Sequence, residues 1–392
     1  MDFVKQPQLV PWRKAIFQVH LWTGVLLGLY LIAISVSGSA LVFERELMND
    51  APKPLEGGYR GTQRLSYAAL AEEAMKLHAG ETLDSIDVRT NNRRVVLLTL
   101  KSQSGRHRNL FVDAYSGTVL ADSIVEERHA VVRFLERLHN ELLSGEQGEM
   151  FNGAGGALLF VLAATGIIIW WPGIRNWTRA LKVKWGASWK RVLFDLHSAV
   201  GLWTLVVVAM WGLSGFYFAY PQVVNNAFRI FAKDARPKQS AWKPSETLLS
   251  LDAYLQKADQ LFPDARLAYL YMDVYRPGGQ VAVFLSRNPE RPLTLLEDIV
   301  RLDPGTGEVL AIETSRRWSL KEKIALGSYS IHFGDFGGTA SKAAWVLLGL
   351  APAALAVSGY VMWWNRVLSK KWAGLKRRQT VVKQAVVSAS EE

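Results

Sequence analysis

Four long apolar runs divide the chain, at roughly residues 15–43, 151–171, 193–220 and 343–364. The first, Ala15 to Phe43, has 29 residues and no charge. A helix crossing a bilayer core takes about 20 apolar residues, so each run predicts a membrane span. The second run meets a stop at Trp170-Trp171-Pro172-Gly173. The two long connections have shorter periods. In the first, Leu65–Leu77 has helical spacing. Val95–Leu100 and Leu110–Val112 read as strands, closed by the turn Asp113-Ala114-Tyr115-Ser116-Gly117 and followed by Val119-Leu120. Residues 128–143 place Val132, Leu135, Leu138 and Leu142 on one face, which predicts an amphipathic helix. In the second connection a helix is expected near 248–262. Strands are expected near Ala268–Val274, Gln280–Leu285 and Ile299–Leu302, ahead of the turn Asp303-Pro304-Gly305-Thr306-Gly307.

The two halves share offsets. His20 and His197 each precede a glycine by four residues (Gly24, Gly201) and a Ser-Gly glycine by eighteen (Gly38, Gly215). His139 and His332 each precede a Trp-Trp pair by 31 residues and a glycine (Gly166, Gly359) by 27. Asp113…Ser116-Gly117…Val119-Leu120 matches Asp303…Thr306-Gly307…Val309-Leu310. Matches at so many fixed offsets read as a tandem repeat. Both halves run out and back in the same sense, so their pseudo-twofold axis is expected along the membrane normal.

Charge sets the orientation. The formal net charge is +11, but the cations gather beside the spans. Lys5, Arg13 and Lys14 precede the first. Arg175, Arg179, Lys182, Lys184, Lys190 and Arg191 fill the acid-free short loop, and a basic tail follows the fourth. This is the positive-inside pattern, with both termini and the short loop in the cytoplasm, and it argues against a nucleic-acid partner. Of the 15 tryptophans, Trp12, Trp170, Trp171, Trp203, Trp363 and Trp364 lie at span ends, as in an aromatic belt. The first run is too long for a cleavable signal. There is no cysteine, which excludes disulfides, thiolate metal sites and iron–sulfur clusters.

The organisation expected is therefore a cytoplasmic N-terminus (1–14), a first span (15–43), a first external domain (44–138), a histidine segment and second span (139–171), and a cytoplasmic loop (172–192). A third span (193–220), a second external domain (221–331), a histidine segment and fourth span (332–364) and a cytoplasmic tail (365–392) complete it. The fold class is a membrane all-α bundle of four transmembrane helices in two tandem repeats, with two α+β external domains.

Each span has one histidine near an end. A histidine in a membrane span is a functional-site candidate. His20 and His197 fall near the cytoplasmic face, and His139 and His332 near the outer face. Two imidazoles per layer suit a six-coordinate haem, whose porphyrin leaves two axial positions. They do not suit zinc, which takes three or four protein ligands. Without a Cys-x-x-Cys-His sequence the haem is b-type, two per chain. Gly24, Gly201, Gly38, Gly215, Gly166 and Gly359 are read as clearance for the macrocycle, against the alternative of small-residue helix packing. Asp195 and Asp335 are read as supporting or interfacial groups. Met210 and Met362 are possible haem neighbours. Arg13, Lys14, Lys190 and Arg191 are candidate partners for inner propionates, as are Arg133 and Arg137 for outer ones. His78 and His107 read as surface groups, and His129 stands ten residues before His139.

The chain resembles the PepSY-associated transmembrane family, often described as iron-regulated membrane proteins. The resemblance rests on His20…Gly24…Ser37-Gly38, Asp113-Ala114-Tyr115-Ser116-Gly117-Thr118-Val119-Leu120, Leu138-His139…Thr165-Gly166…Trp170-Trp171-Pro172, Asp195-Leu196-His197 with Ser214-Gly215, and His332…Gly359…Trp363-Trp364. It implies a bacterial inner-membrane protein with PepSY-like periplasmic domains. Its members include di-haem reductases of ferric siderophores. Gly153-Ala154-Gly155-Gly156 lies inside a span, so it is no dinucleotide loop, and the electron donor, a quinol or a cytoplasmic reductase, must be separate. The expected activity is transmembrane electron transfer to a ferric siderophore. The alternatives are a permease for a metal or metal chelate, and a scaffold whose periplasmic domains regulate a partner.

Overall fold

The computed structural model describes residues 3–48, 63–88, 94–124, 129–178, 181–228, 240–287, 298–314 and 318–368. The basic tail beyond residue 368 and Arg179 lie outside them. In chain order the main helices are α1 (Trp12–Leu41), α2 (Tyr67–Leu77), α3 (Ala130–Glu141), α4 (Gly145–Trp170), α5 (Trp189–Ala219), α6 (Leu251–Leu261), α7 (Leu320–Phe333), α8 (Gly338–Gly349) and α9 (Ala351–Trp363). The strands are β1 (Thr82–Asp87), β2 (Val95–Lys101), β3 (His107–Asp113), β4 (Val119–Ile124), β5 (Arg266–Asp273), β6 (Gln280–Ser286), β7 (Asp298–Leu302) and β8 (Val309–Glu313). The chain forms two compact units, 1–42 with 135–221 and 343–392, and 43–134 with 222–342.

The first unit is helical. Among the described residues four stretches are long and apolar enough to cross a membrane: Trp12–Leu41, Gly145–Trp170, Trp189–Ala219 and Asp335–Val367. Their outer faces carry exposed apolar side chains, with Leu26 and Val206 each 78% accessible. Such faces need a hydrocarbon solvent rather than water. α1 packs against α4 and α9, and α5 packs against the same two, which closes a ring with α1 and α5 on one diagonal. α4 starts after a sharp turn in which Leu142 and Leu143 have φ of 48° and 61°. It ends before Pro172, with Gly173 at φ 90°.

The fourth stretch, read from the sequence as one span, is two helices. Pro352 has no N–H to continue the ladder, so α8 stops at Gly349 and α9 restarts at Ala351. Ser35 of α1 bridges the break. Its hydroxyl accepts from the Ala353 N–H at 3.2 Å and donates to the Gly349 carbonyl. α9 then widens into a π-helical turn, Trp364–Leu368.

The second unit holds a single antiparallel sheet in the order β4-β3-β2-β1-β5-β6-β7-β8. The segments expected as two external domains therefore share one sheet and one core. β1 pairs with β5, and about the central pair Ile86–Leu270, Ser85 faces Tyr271 and Asp87 faces Tyr269. Irregularities recur in register on the two sides, at Leu83/Ser85 and Leu267/Tyr269, then at Phe111/Val112 and Arg301/Leu302. α2 and α6 share the apolar core of this unit through Leu70, Ala74, Tyr254 and Ala258. Each is capped by a serine, Ser66 accepting from the Ala69 N–H and Ser250 from the Ala253 N–H. The expected turns form as Asx turns. Asp113 Oδ1 accepts from the Tyr115 and Ser116 amides, and Asp303 Oδ1 from those of Gly305 and Thr306.

Candidate cofactor site

Three of the four predicted histidines lie in the helical unit, each against a hydroxyl-glycine pair on a neighbouring helix. His20 of α1 has Nδ1 3.0 Å from Thr165 Oγ1 on α4. His197 of α5 has Nδ1 2.8 Å from Ser358 Oγ on α9. His139 of α3 has Nδ1 3.2 Å from Ser37 Oγ and 3.0 Å from the Ile34 carbonyl on α1. The hydroxyls settle the tautomer. Thr165 gives its one hydrogen back to its own helix, 2.7 Å from the Val161 carbonyl, as Ser358 does to Ala354 at 2.8 Å and Ser37 to Ala33 at 2.7 Å. Each hydroxyl can then only accept from the imidazole. Nδ1 carries the proton, and Nε2 presents a lone pair.

A neutral imidazole with its Nδ1–H held by a neighbour is the form that ligates a metal through Nε2, and the Nδ1 partner fixes the ring plane. Among the described residues no three His, Cys, Asp or Glu side chains converge. His332 lies in the other unit, in the last turn of α7, its ring 5.7 Å from that of Phe333. Gly334, at φ 72°, ends that helix.

A Cβ on Gly38 would stand 2.5 Å from His139 Cε1, so a larger residue there would force that ring to shift. On Gly166 it would be 3.4 Å from His20 Cε1, and on Gly359 3.6 Å from His197 Cε1, both ordinary contacts. Gly24 and Gly201 face the Leu162 and Leu355 side chains at ordinary contact, 3.8 and 3.7 Å. Gly215 alone of the six faces open space, with nothing within 4 Å. Ser214 beside it donates to the Met210 carbonyl at 2.8 Å, repeating the geometry of the other hydroxyls.

The basic residues proposed for propionates divide. Arg13 donates to the Trp171 carbonyl at 3.1 Å and to that of Ile169, capping the end of α4. Arg191 pairs with the buried Asp195 at 2.9 Å, whose other oxygen accepts from the Lys184 N–H at 3.2 Å. Lys14 is exposed, and Lys190 stacks on Trp189 at 5.7 Å. Arg137 lies 3.9 Å from Glu141, and Arg133 sits within α3. Met362 lies in α9, and Asp335 opens a short 3-10 turn after α7. His78 is 3.2 Å from Asp122, His107 starts β3 and His129 immediately precedes α3.

Several site residues carried no functional reading in the sequence. Thr165, Ser358 and Ser37 set the tautomers. Tyr360 stitches α9 to α1, donating to the Val25 carbonyl at 2.8 Å and accepting from the Leu29 N–H at 3.1 Å. The available signal was that a Ser or Thr precedes the glycine in both halves at the offsets of eighteen and 27.

Four helices long and apolar enough to span a membrane and a second unit built on one antiparallel sheet define a multi-pass membrane protein, with His20, His197 and His139 as candidate cofactor ligands in its helical unit. The chain belongs to the family described as the PepSY-associated TM region, whose model matches residues 17–366. No individually curated protein matches it.

Proposed function

We propose that this protein is a di-haem b electron carrier of a bacterial inner membrane, taking electrons from the cytoplasmic side to a periplasmic acceptor. His20 and His197 would hold the haem on the cytoplasmic side, and His139 and His332 the haem on the periplasmic side. Both termini are cytoplasmic, the sheet unit is periplasmic, and the two halves are a tandem repeat about an axis along the membrane normal. The observation that carries the reading is the shared Nδ1 contact, to Thr165 at His20, to Ser358 at His197 and to Ile34 at His139, which fixes each ring on a neighbouring helix.

A bound haem supplies reversible one-electron chemistry at its iron. The chain supplies placement. The hydroxyl bonds hold the imidazole planes, Gly38 admits the His139 ring, and the apolar helices keep water away. No residue need act as acid or base. The donor is a separate quinol or cytoplasmic reductase. The acceptor is the Fe(III) of a siderophore; one electron gives Fe(II), which hard oxygen ligands hold less well, and the metal leaves the chelate.

The test uses the haem-loaded protein in liposomes with a reductant enclosed and a ferric siderophore plus a chromogenic Fe(II) chelator outside. Ferrous complex should form only with protein present, and His20→Ala or His139→Ala should abolish it. Colour formation that survives both replacements would contradict the electron route.

A further inference from the structure

His139 is not on a span. It sits near the end of α3, where the chain must reverse sharply into α4. The last carbonyls of a helix lack internal partners, and two of them here are those of His139 and Asn140. Asn152, on the second turn of α4, caps both. Its Nδ2 donates to the His139 carbonyl at 2.6 Å and to the Asn140 carbonyl at 3.2 Å. An amide can present either end, and the two carbonyls, which can only accept, fix its NH2 group toward α3. The Tyr30 hydroxyl of α1 then donates to Asn152 Oδ1 at 2.7 Å and holds the amide there. The tip of the Tyr30 ring lies where any side chain on Gly155 would be.

Tyr30, Ile34 and Gly38 are spaced by four, on one face of α1. Tyr30 steadies the amide that holds the His139 backbone, Ile34 accepts the His139 Nδ1 proton, and Gly38 admits its ring. The offsets that pair the histidines put Val207 and Trp345 where Tyr30 and Asn152 would fall in the second half, so this clamp belongs to one half only.

We propose that Tyr30 and Asn152 are positioning residues for His139, and so set the coordination and potential of one haem of the two; the haem part rests on the function proposed above. The test uses the full chain in nanodiscs as wild type, Asn152→Ala and Tyr30→Phe. Asn152→Ala should shift the midpoint potential and low-field EPR signal of the haem that His139→Ala removes, and leave those of the haem that His20→Ala removes. Hydrogen exchange around residues 140–144 should quicken about tenfold. Tyr30→Phe, which keeps the ring, should move the same signals less. Equal shifts in both haems, or no change in either the outer signal or the exchange, overturn the proposal. If wild-type protein holds no haem, the parent reading fails instead. The exchange measurement then decides alone whether Asn152 holds the helix of His139.

Discussion

Thr165 determines which nitrogen of His20 carries the proton. Its own hydrogen is committed to the Val161 carbonyl, so at 3.0 Å it can only accept from Nδ1. Ser358 does the same for His197 from the other side of the bundle. Removing such a partner costs roughly 10–100-fold in metal affinity in comparable sites. Thr165→Val and Ser358→Ala should each weaken the haem between His20 and His197 on that scale, seen in haem titration of apoprotein, and spare the other haem.

Gly38→Ala should be damaging where Gly24→Ala is not. The added Cβ would lie 2.5 Å from His139 Cε1 in the first case and 3.8 Å from a leucine methyl in the second. Overpacking of this kind costs about 1–3 kcal/mol. Thermal unfolding should show the loss for Gly38→Ala only, with a perturbed spectrum confined to the haem ligated by His139.

α1 and α9 place hydroxyls in each other's backbones. Ser35 bridges Ala353 N–H and the Gly349 carbonyl across the Pro352 break, and Tyr360 bridges Leu29 N–H and the Val25 carbonyl. The matching seam of α4 and α5 instead brings glycines together, a Cβ on Gly156 falling 2.8 Å from the Gly212 carbonyl. Ser35→Ala and Tyr360→Phe should each lower stability by about 0.6–2 kcal/mol. The double mutant measured by denaturant unfolding should show nearly additive losses, since the two bridges share no partner.

Acid should weaken the sheet unit through Asp113 and Asp303. Burial pushes both carboxyls up. Arg94 with the Tyr115 and Ser116 amides overcomes it at Asp113, and Ser240 with the Thr306 and Gly305 groups does so at Asp303, leaving both below the ordinary aspartate value. A lowered folded pKa stabilises above the unfolded value, near 4, and the benefit is lost as pH falls through the folded one. Asp113→Asn and Asp303→Asn should therefore cost about 1–3 kcal/mol at pH 7 and flatten the acid limb of stability, measured by near-UV dichroism from pH 7 to 2.

Much of this was legible from residue order. Uninterrupted apolar runs marked the spans, and shared offsets marked the histidines and their glycines. The break at Pro352 was hidden because its neighbours stay apolar, and only Ser35 on another helix makes the break tolerable. β1 escaped notice because Thr82–Asp87 holds two carboxylates and a bulge that spoils alternation; its strand state comes from pairing with β2 and β5 on both sides. α7 has no strong apolar stripe, so its capping box, Ser319 with Glu322, was the better sign. The hydroxyls beside the histidines could be counted but not assigned, because which ring nitrogen they hold depends on how two helices meet. Of the glycines read as space for a large ring, Gly38 lies tight against the His139 imidazole, a contact between two helices that residue order does not show.

The most direct measurement is the haem content and EPR spectrum of protein purified from haem-replete cells. Two low-spin, bis-histidine b haems per chain are expected, one lost with either His20→Ala or His197→Ala and the other with either His139→Ala or His332→Ala. Protein without haem, or a spectrum in which these replacements do not sort into two pairs, would contradict the pairing of histidines on which the whole proposal stands.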